Sequence, residues 1–151
     1  MTSWVGRAYE RHADSLFRYA LMIVADHADA ADVVHQVFAS LLGRVGGDPL
    51  DLERYLRRAV RNGCYDVLRR RGRERSLDGQ LLEPVAPPDD SELRLAVEQA
   101  IRTLPAEQRE VLHLKVFEGM TFQQIADLTD EPLNTVASRY RYAIARMRGI
   151  L

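Results

Sequence analysis

The chain has 151 residues, enough for one ordinary domain or two small ones, and its 46% hydrophobic content supplies packed cores. No apolar run is long enough to cross a membrane, and the opening residues enter an amphipathic pattern without a signal-peptide apolar region. Cys64 is the sole cysteine, which excludes an intrachain disulfide and makes the reducing cytoplasm the expected compartment.

Three apolar-periodic segments precede residue 72. Trp4 to about Val24 carries Val5, Ala8, Tyr9, Leu16, Phe17, Ala20 and Ile23 at helical spacing. After a break at 25–28, Asp29 to Leu42 repeats Val33, Val34, Val37, Phe38 and Leu41 at intervals of three and four. Its valines suit a strand, but strict alternation is lacking. Gly43, Gly46, Gly47, Asp48 and Pro49 mark a loop. A third helix is predicted from about Leu52 to Arg71, burying Tyr55, Leu56, Ala59, Val60, Cys64 and Leu68.

Residues 72–91 hold three prolines, two glycines and few core candidates, and so read as a flexible linker. Ser91 then caps a helix reaching roughly Thr103. Pro105 opens another through Val111, Leu112, Leu114 and Phe117, stopping at Gly119. The expected fold class is therefore all-α, with two small helical domains at 1–71 and 92–151 joined by the linker.

The segment from Thr121 to Arg148 is the most informative. Thr121 with Gln124 has the form of a capping box. Ile125, Ala126 and Leu128 give a small apolar face, Pro132 ends the helix, and Asn134 or Thr135 caps the next. That next helix places Val136, Tyr140, Ala143 and Met147 on one stripe. Ser138, Arg139, Arg141, Tyr142 and Arg146 are left for a partner, a design that suits a DNA major groove.

A formal net charge of −1 argues against a nucleic-acid binder until its distribution is read. Nine arginines lie between Arg54 and Arg75, opposed by Asp66 and Glu74, whereas acids collect at 26–32 and 83–98. One face thus suits phosphates and others a different partner. Arginine itself says little, because Lys115 is the only lysine; the clustering carries the information.

Enzyme chemistry finds little support. His12, His27, His35 and His113 lack metal-ligand spacing with one another or with Cys64, and there is no Gly-rich phosphate loop. Asp26, Asp29 and Asp32 suit either a hard cation or a helix macrodipole. No catalytic residue, metal or cofactor is expected.

With both halves in view, the chain resembles the extracytoplasmic-function sigma factors, two-domain specificity subunits of bacterial RNA polymerase. The family's Asp-Ala-Glu-Asp-Leu-Val-Gln-Glu-Val-Phe pattern is matched by Asp29-Ala-Ala-Asp-Val-Val-His-Gln-Val-Phe38. Its Ala-Arg-Asn…Asp-x-Leu-Arg-Arg signature is matched by Val60-Arg-Asn-Gly-Cys-Tyr-Asp-Val-Leu-Arg-Arg70. Leu104-Pro-Ala-Glu-Gln-Arg-Glu-Val-Leu112, Phe117 to Ala126 and Thr135-Val-Ala-Ser-Arg139 follow in the family's order.

The resemblance implies a first domain that docks core polymerase through Asp32, His35, Gln36 and Phe38 and holds the −10 element. There Arg58, Arg61, Arg69 and Arg70 meet phosphates, and Tyr55, Asn62 and Tyr65 handle an unpaired base beside the loop 43–51. Ordinary core packing is the other use of both tyrosines. The second domain puts Thr135, Ser138, Arg139, Arg141, Tyr142 and Arg146 at the −35 element. A linker of about twenty residues at ~3.3–3.6 Å each reaches roughly 65–70 Å, comparable with two duplex turns of ~34 Å. Core RNA polymerase and promoter DNA are the implied partners, and the resemblance alone implies an anti-sigma factor. The rival reading is a sigma-like adaptor or DNA-binding regulator that does not itself direct initiation.

This sequence departs from the family at several points. His35-Gln36 replaces a Gln-Glu pair, and Tyr55 stands for a tryptophan. Thr129-Asp-Glu-Pro132 replaces Leu-Gly-Ile-Pro, so Asp130 must take the glycine's conformation and Glu131 an apolar residue's place. Ala137 stands where a basic residue is usual, so promoter preference does not follow from family habit.

Overall fold

A computed structural model describes residues 4–43, 51–74 and 92–150. The chain forms two compact units, Met1–Ser76 and Leu77–Leu151. In the first, α1 (Trp4–Val24), α2 (His27–Leu42) and α3 (Leu52–Glu74) each pack against the other two. In the second, α4 (Glu92–Arg102), α5 (Ala106–Leu112) and α6 (Phe122–Thr129) surround α7 (Leu133–Ile150), and a π-helical turn at His113–Phe117 continues α5. No strand occurs among the described residues.

The three-helix core follows the apolar spacing. Leu16, Ala20 and Ile23 of α1, Val33, Val34, Val37 and Leu41 of α2, and Leu56, Val60 and Cys64 of α3 are all buried. Tyr19, fully buried, joins them although the spacing did not single it out, whereas Tyr9 is 41% exposed. Tyr55, Ala59 and Leu68, expected in the core, are only half-buried.

Two local features set how these helices meet. Ala25, at φ 59°, ends α1 in the left-handed region, and Asp26 caps α2 by accepting from the Asp29 N–H at 2.9 Å. The cap draws His27 and Ala28, read as a break, into the helix. Gly63 lets α2 and α3 approach: a Cβ there would lie 2.8 Å from Val33 Cγ1. That contact rationalises a glycine inside a helix, where it costs about 1 kcal/mol relative to alanine.

The far end of α3 is tied back by Arg71. Its guanidinium donates to the Val24 carbonyl at 2.7 Å and to the Asp29 carboxylate, joining all three helices. The helix continues to Glu74, three residues beyond its predicted end. The rest of the predicted linker, 75–91 including Ser91, lies outside the described residues, as does most of the loop at 44–50.

The second unit relies on helix-end chemistry. Both halves of the capping box are present: Thr121 Oγ1 accepts from the Gln124 N–H at 3.1 Å, and Gln124 Oε1 accepts from the Thr121 N–H at 2.9 Å. Asp130 takes the left-handed conformation at φ 55°, as the turn requires. Helix α7 begins at Leu133, so Asn134 and Thr135 lie in its first turn rather than capping it from outside. Val111, Leu112, Leu114, Ile125, Leu128, Val136 and Ala143 are buried, together with Glu110 and His113. Phe117, the last residue of the π-helical turn, is 63% exposed.

Candidate nucleic-acid interface

The geometry of α3 separates two jobs. At 3.6 residues per turn, Leu56, Val60 and Cys64 form the buried stripe, and Arg58, Asn62, Tyr65 and Arg69 form a second stripe on the opposite side. Asn62 is exposed, while Tyr55 and Tyr65 are half-buried, so neither tyrosine belongs to the buried core. The Arg61 guanidinium lies 4.7 Å from the Tyr65 ring centroid, an arrangement that orients both side chains. Arg69 pairs with Asp66 on the surface, and Arg70 is exposed.

Not every arginine of the cluster serves this face. Arg57 pairs with Glu53 at 3.3 Å one turn away, and Arg71 is committed to the helix junction. Sequence clustering could not separate Arg71 from Arg70, since its partners Val24 and Asp29 are more than forty residues away.

On α2, Asp32, His35 and Gln36 share an exposed strip. Phe38, assigned to the same surface, is corrected to a core residue: it is 5% exposed and meets the Tyr9 ring edge-on at 5.1 Å. Tyr9 also stacks on His35 at 6.4 Å, which brings α1 to the strip and was not anticipated. A polar groove of about 330 Å³ runs between α2 and α3, lined by Asp29, Asp32, Gln36, Gly63, Asp66 and Arg70 among others. Residues assigned to different partners thus line one concavity.

On α7, Val136 and Ala143 are buried beneath half-buried Tyr140 and Met147, and Phe122 of α6 packs edge-on to Tyr140 at 5.4 Å. Arg141, Tyr142 and Arg146 are exposed, and Tyr142 is 66% so. Arg141 donates to the Ser138 hydroxyl at 3.0 Å. Arg139, expected to be largely free, is instead held by Glu131 at 3.4 Å. Thr135 is half-buried one turn before it. The exposed side of the helix offers positive charge and an aromatic ring, with the half-buried Ser138 and Thr135 hydroxyls beside them.

The two units match two family models: sigma-70 region 2 over residues 8–74, and sigma-70 region 4 over residues 94–147. The chain is 31% identical over 150 residues to the ECF RNA polymerase sigma factor SigL of Mycobacterium tuberculosis, covering 93% of this chain and 84% of that one. The chain belongs to the ECF RNA polymerase sigma factors. It is also 29% identical to the ECF sigma factor SigE of Mycolicibacterium smegmatis, aligned along its whole length but over only 62% of that relative. It thus spans less than two thirds of SigE. Among solved structures, the sigma factor RpoE of Bartonella quintana, in complex with the anti-sigma factor NepR, matches with a TM-score of 0.72. That likeness covers 95% of this chain and 94% of RpoE at 23% identity, and it speaks to the fold.

No helix among the described residues is long and apolar enough to cross a membrane, and none of their acidic, histidine and cysteine side chains form a metal-sized cluster.

Proposed function

We propose that this ECF sigma factor binds core RNA polymerase and directs initiation at promoters whose −10 and −35 elements it reads with different units. The region 2 unit, about 1–71, takes the −10 element and the region 4 unit, about 92–151, the −35 element, with the connecting segment letting both engage at once. The observation that carries this reading is the opposition of faces on α3. A core stripe on one side is matched by arginines, an exposed amide and two half-buried tyrosines on the other.

The two DNA tasks call for different chemistry. An unpaired base offers a flat face and a free pairing edge, which Tyr55, Tyr65 and Asn62 suit by stacking and hydrogen bonding. Arg58, Arg61, Arg69 and Arg70 supply phosphate contacts. A closed duplex offers groove edges, which suit the Ser138, Arg141 and Tyr142 side of α7, with Thr135, Arg139 and Arg146 on its flank. Asp32, His35 and Gln36 face core polymerase. An anti-sigma factor is the natural restraint on such a chain, as in the complex of RpoE with NepR. A net charge of −1 gives the free chain little long-range attraction to DNA, so polymerase is needed to align the basic faces.

Run-off transcription with purified core polymerase and a promoter library tests the reading. Productive initiation from a defined promoter set is expected, and Asn62→Ala should depress open-complex formation more than closed-complex binding. Tight sequence-specific binding by the chain alone at physiological salt, without initiation, would establish the regulator reading instead.

A further inference from the structure

The turn between α6 and α7 carries a carboxylate that the helix-turn-helix does not need for its own closure. The Glu131 N–H donates to the Ala126 carbonyl at 3.2 Å, directly after left-handed Asp130, so backbone groups close the turn. The Glu131 side chain instead reaches eight residues along the chain, where its Oε1 accepts from Arg139 Nη2 at 3.4 Å. The two side chains keep 32% and 25% of their exposure, respectively, so the pair is neither fully solvated nor part of the core. Thr135, Tyr142 and Arg146 stand on the same flank of α7 as Arg139, at helical spacing.

We infer that Glu131 is a positioning residue: by holding the Arg139 guanidinium at the head of α7, it makes that arginine's contribution depend on base sequence. The inference rests on α7 as the reader of the upstream element. An unrestrained arginine on a helix face reaches phosphate at any sequence, and phosphate contacts carry no sequence information. The O6/N7 edge of guanine returns two hydrogen bonds to such an arginine without bringing a second anion beside the carboxylate, whereas phosphate, equally able to accept two, does bring one. The carboxylate itself repels phosphate, so a pose that lays Arg139 on the backbone brings Glu131 there too. A part-exposed ion pair adds little to stability, which places its effect in selectivity rather than in folding.

The test uses the full chain in two assays: binding to random-sequence duplex across a salt series, and run-off transcription with core polymerase on promoters randomised at the upstream element. Glu131→Ala should raise affinity for random duplex roughly threefold and steepen the salt dependence by about one phosphate contact. It should also flatten base preference at one upstream position by about tenfold. Glu131→Gln, which keeps an acceptor without its charge, should fall between, and in an Arg139→Ala background Glu131→Ala should change base preference no further.

Unchanged preference in Glu131→Ala, while Arg139→Ala alters it, overturns the inference and leaves α7 as the reader. Equal flattening with and without Arg139 also overturns it, because Glu131 would then act directly. If Arg139→Ala leaves preference untouched, the assignment of Arg139 as a reader and this inference fall together. Should Glu131→Ala lower the melting temperature, Glu131→Gln carries the test.

Discussion

The two units of this sigma factor are held together by different physics. The region 2 unit is three long helices locked by interdigitated aliphatic side chains, with one glycine permitting close approach and one arginine joining the ends. The region 4 unit has shorter helices around α7, and its shape depends on how they start and stop: a capping box, a left-handed Asp130 and a π-helical turn. The first unit should therefore be sensitive to lost volume and the second to lost caps. The difference also suits their proposed targets. A long helix can present arginines and tyrosines over several turns, as the proposed hold on an opened strand requires, whereas the proposed groove contact requires that a helix-turn-helix set one helix in place.

The largest effect is expected where the first unit is densest. Leu56 is fully buried, and Leu56→Ala should cost about 2–5 kcal/mol, read by denaturant unfolding and by faster hydrogen exchange across α1 to α3. A cost below 1 kcal/mol would show that this core is not the close-packed one described. Next comes the helix junction. Arg71→Ala removes a donor to the Val24 carbonyl and to Asp29, and it should cost about 1.5–3 kcal/mol. Arg70→Ala, on the exposed side of the same turn, should leave stability nearly unchanged and weaken DNA engagement. Equal stability losses would erase the distinction between the two arginines.

The exposed strip of α2 gives a functional contrast. Asp32→Lys should weaken association with core polymerase at least tenfold, about 1.4 kcal/mol, in a competition assay, and spare folding. Undiminished co-purification with core would remove Asp32 from that surface. In the second unit, Thr121→Ala breaks the capping box and should cost about 1 kcal/mol, with increased exchange confined to the start of α6. A larger loss than for Leu56→Ala would invert the comparison. The smallest effect belongs to the surface. Glu53→Gln removes the partner of Arg57 one turn away and should change stability by less than about 0.5 kcal/mol.

Much of this was legible in the sequence, for local reasons. Helical periodicity located all three helices of the first unit, and the buried valines of α2 fell where their spacing put them. The capping box, the turn at Asp130 and the apolar stripe under α7 were also readable, because each depends on residues within a turn or two of one another. The starts of α2 and α7 moved by two or three residues, to just after Asp26 and Pro132.

What the sequence by itself determined is therefore the set of helices, the order of the two units and the presence of basic, aromatic and amide groups on α3 and α7. Tertiary structure alone decided which of those groups are free to act. Phe38 was set on the polymerase strip by the family resemblance, although its spacing with Val34 and Leu41 already put it on the apolar face; it is buried, with Tyr9 of another helix edge-on to its ring. Arg71 sits in the same run as Arg69 and Arg70, yet it is spent on a carbonyl more than forty residues away. Gly63 reads as a weak point in a helix until Val33, thirty residues earlier, is found against it. Periodicity reports the face of a single helix. What lies against that face is set by packing between segments distant in the chain, and no spacing within one helix encodes it.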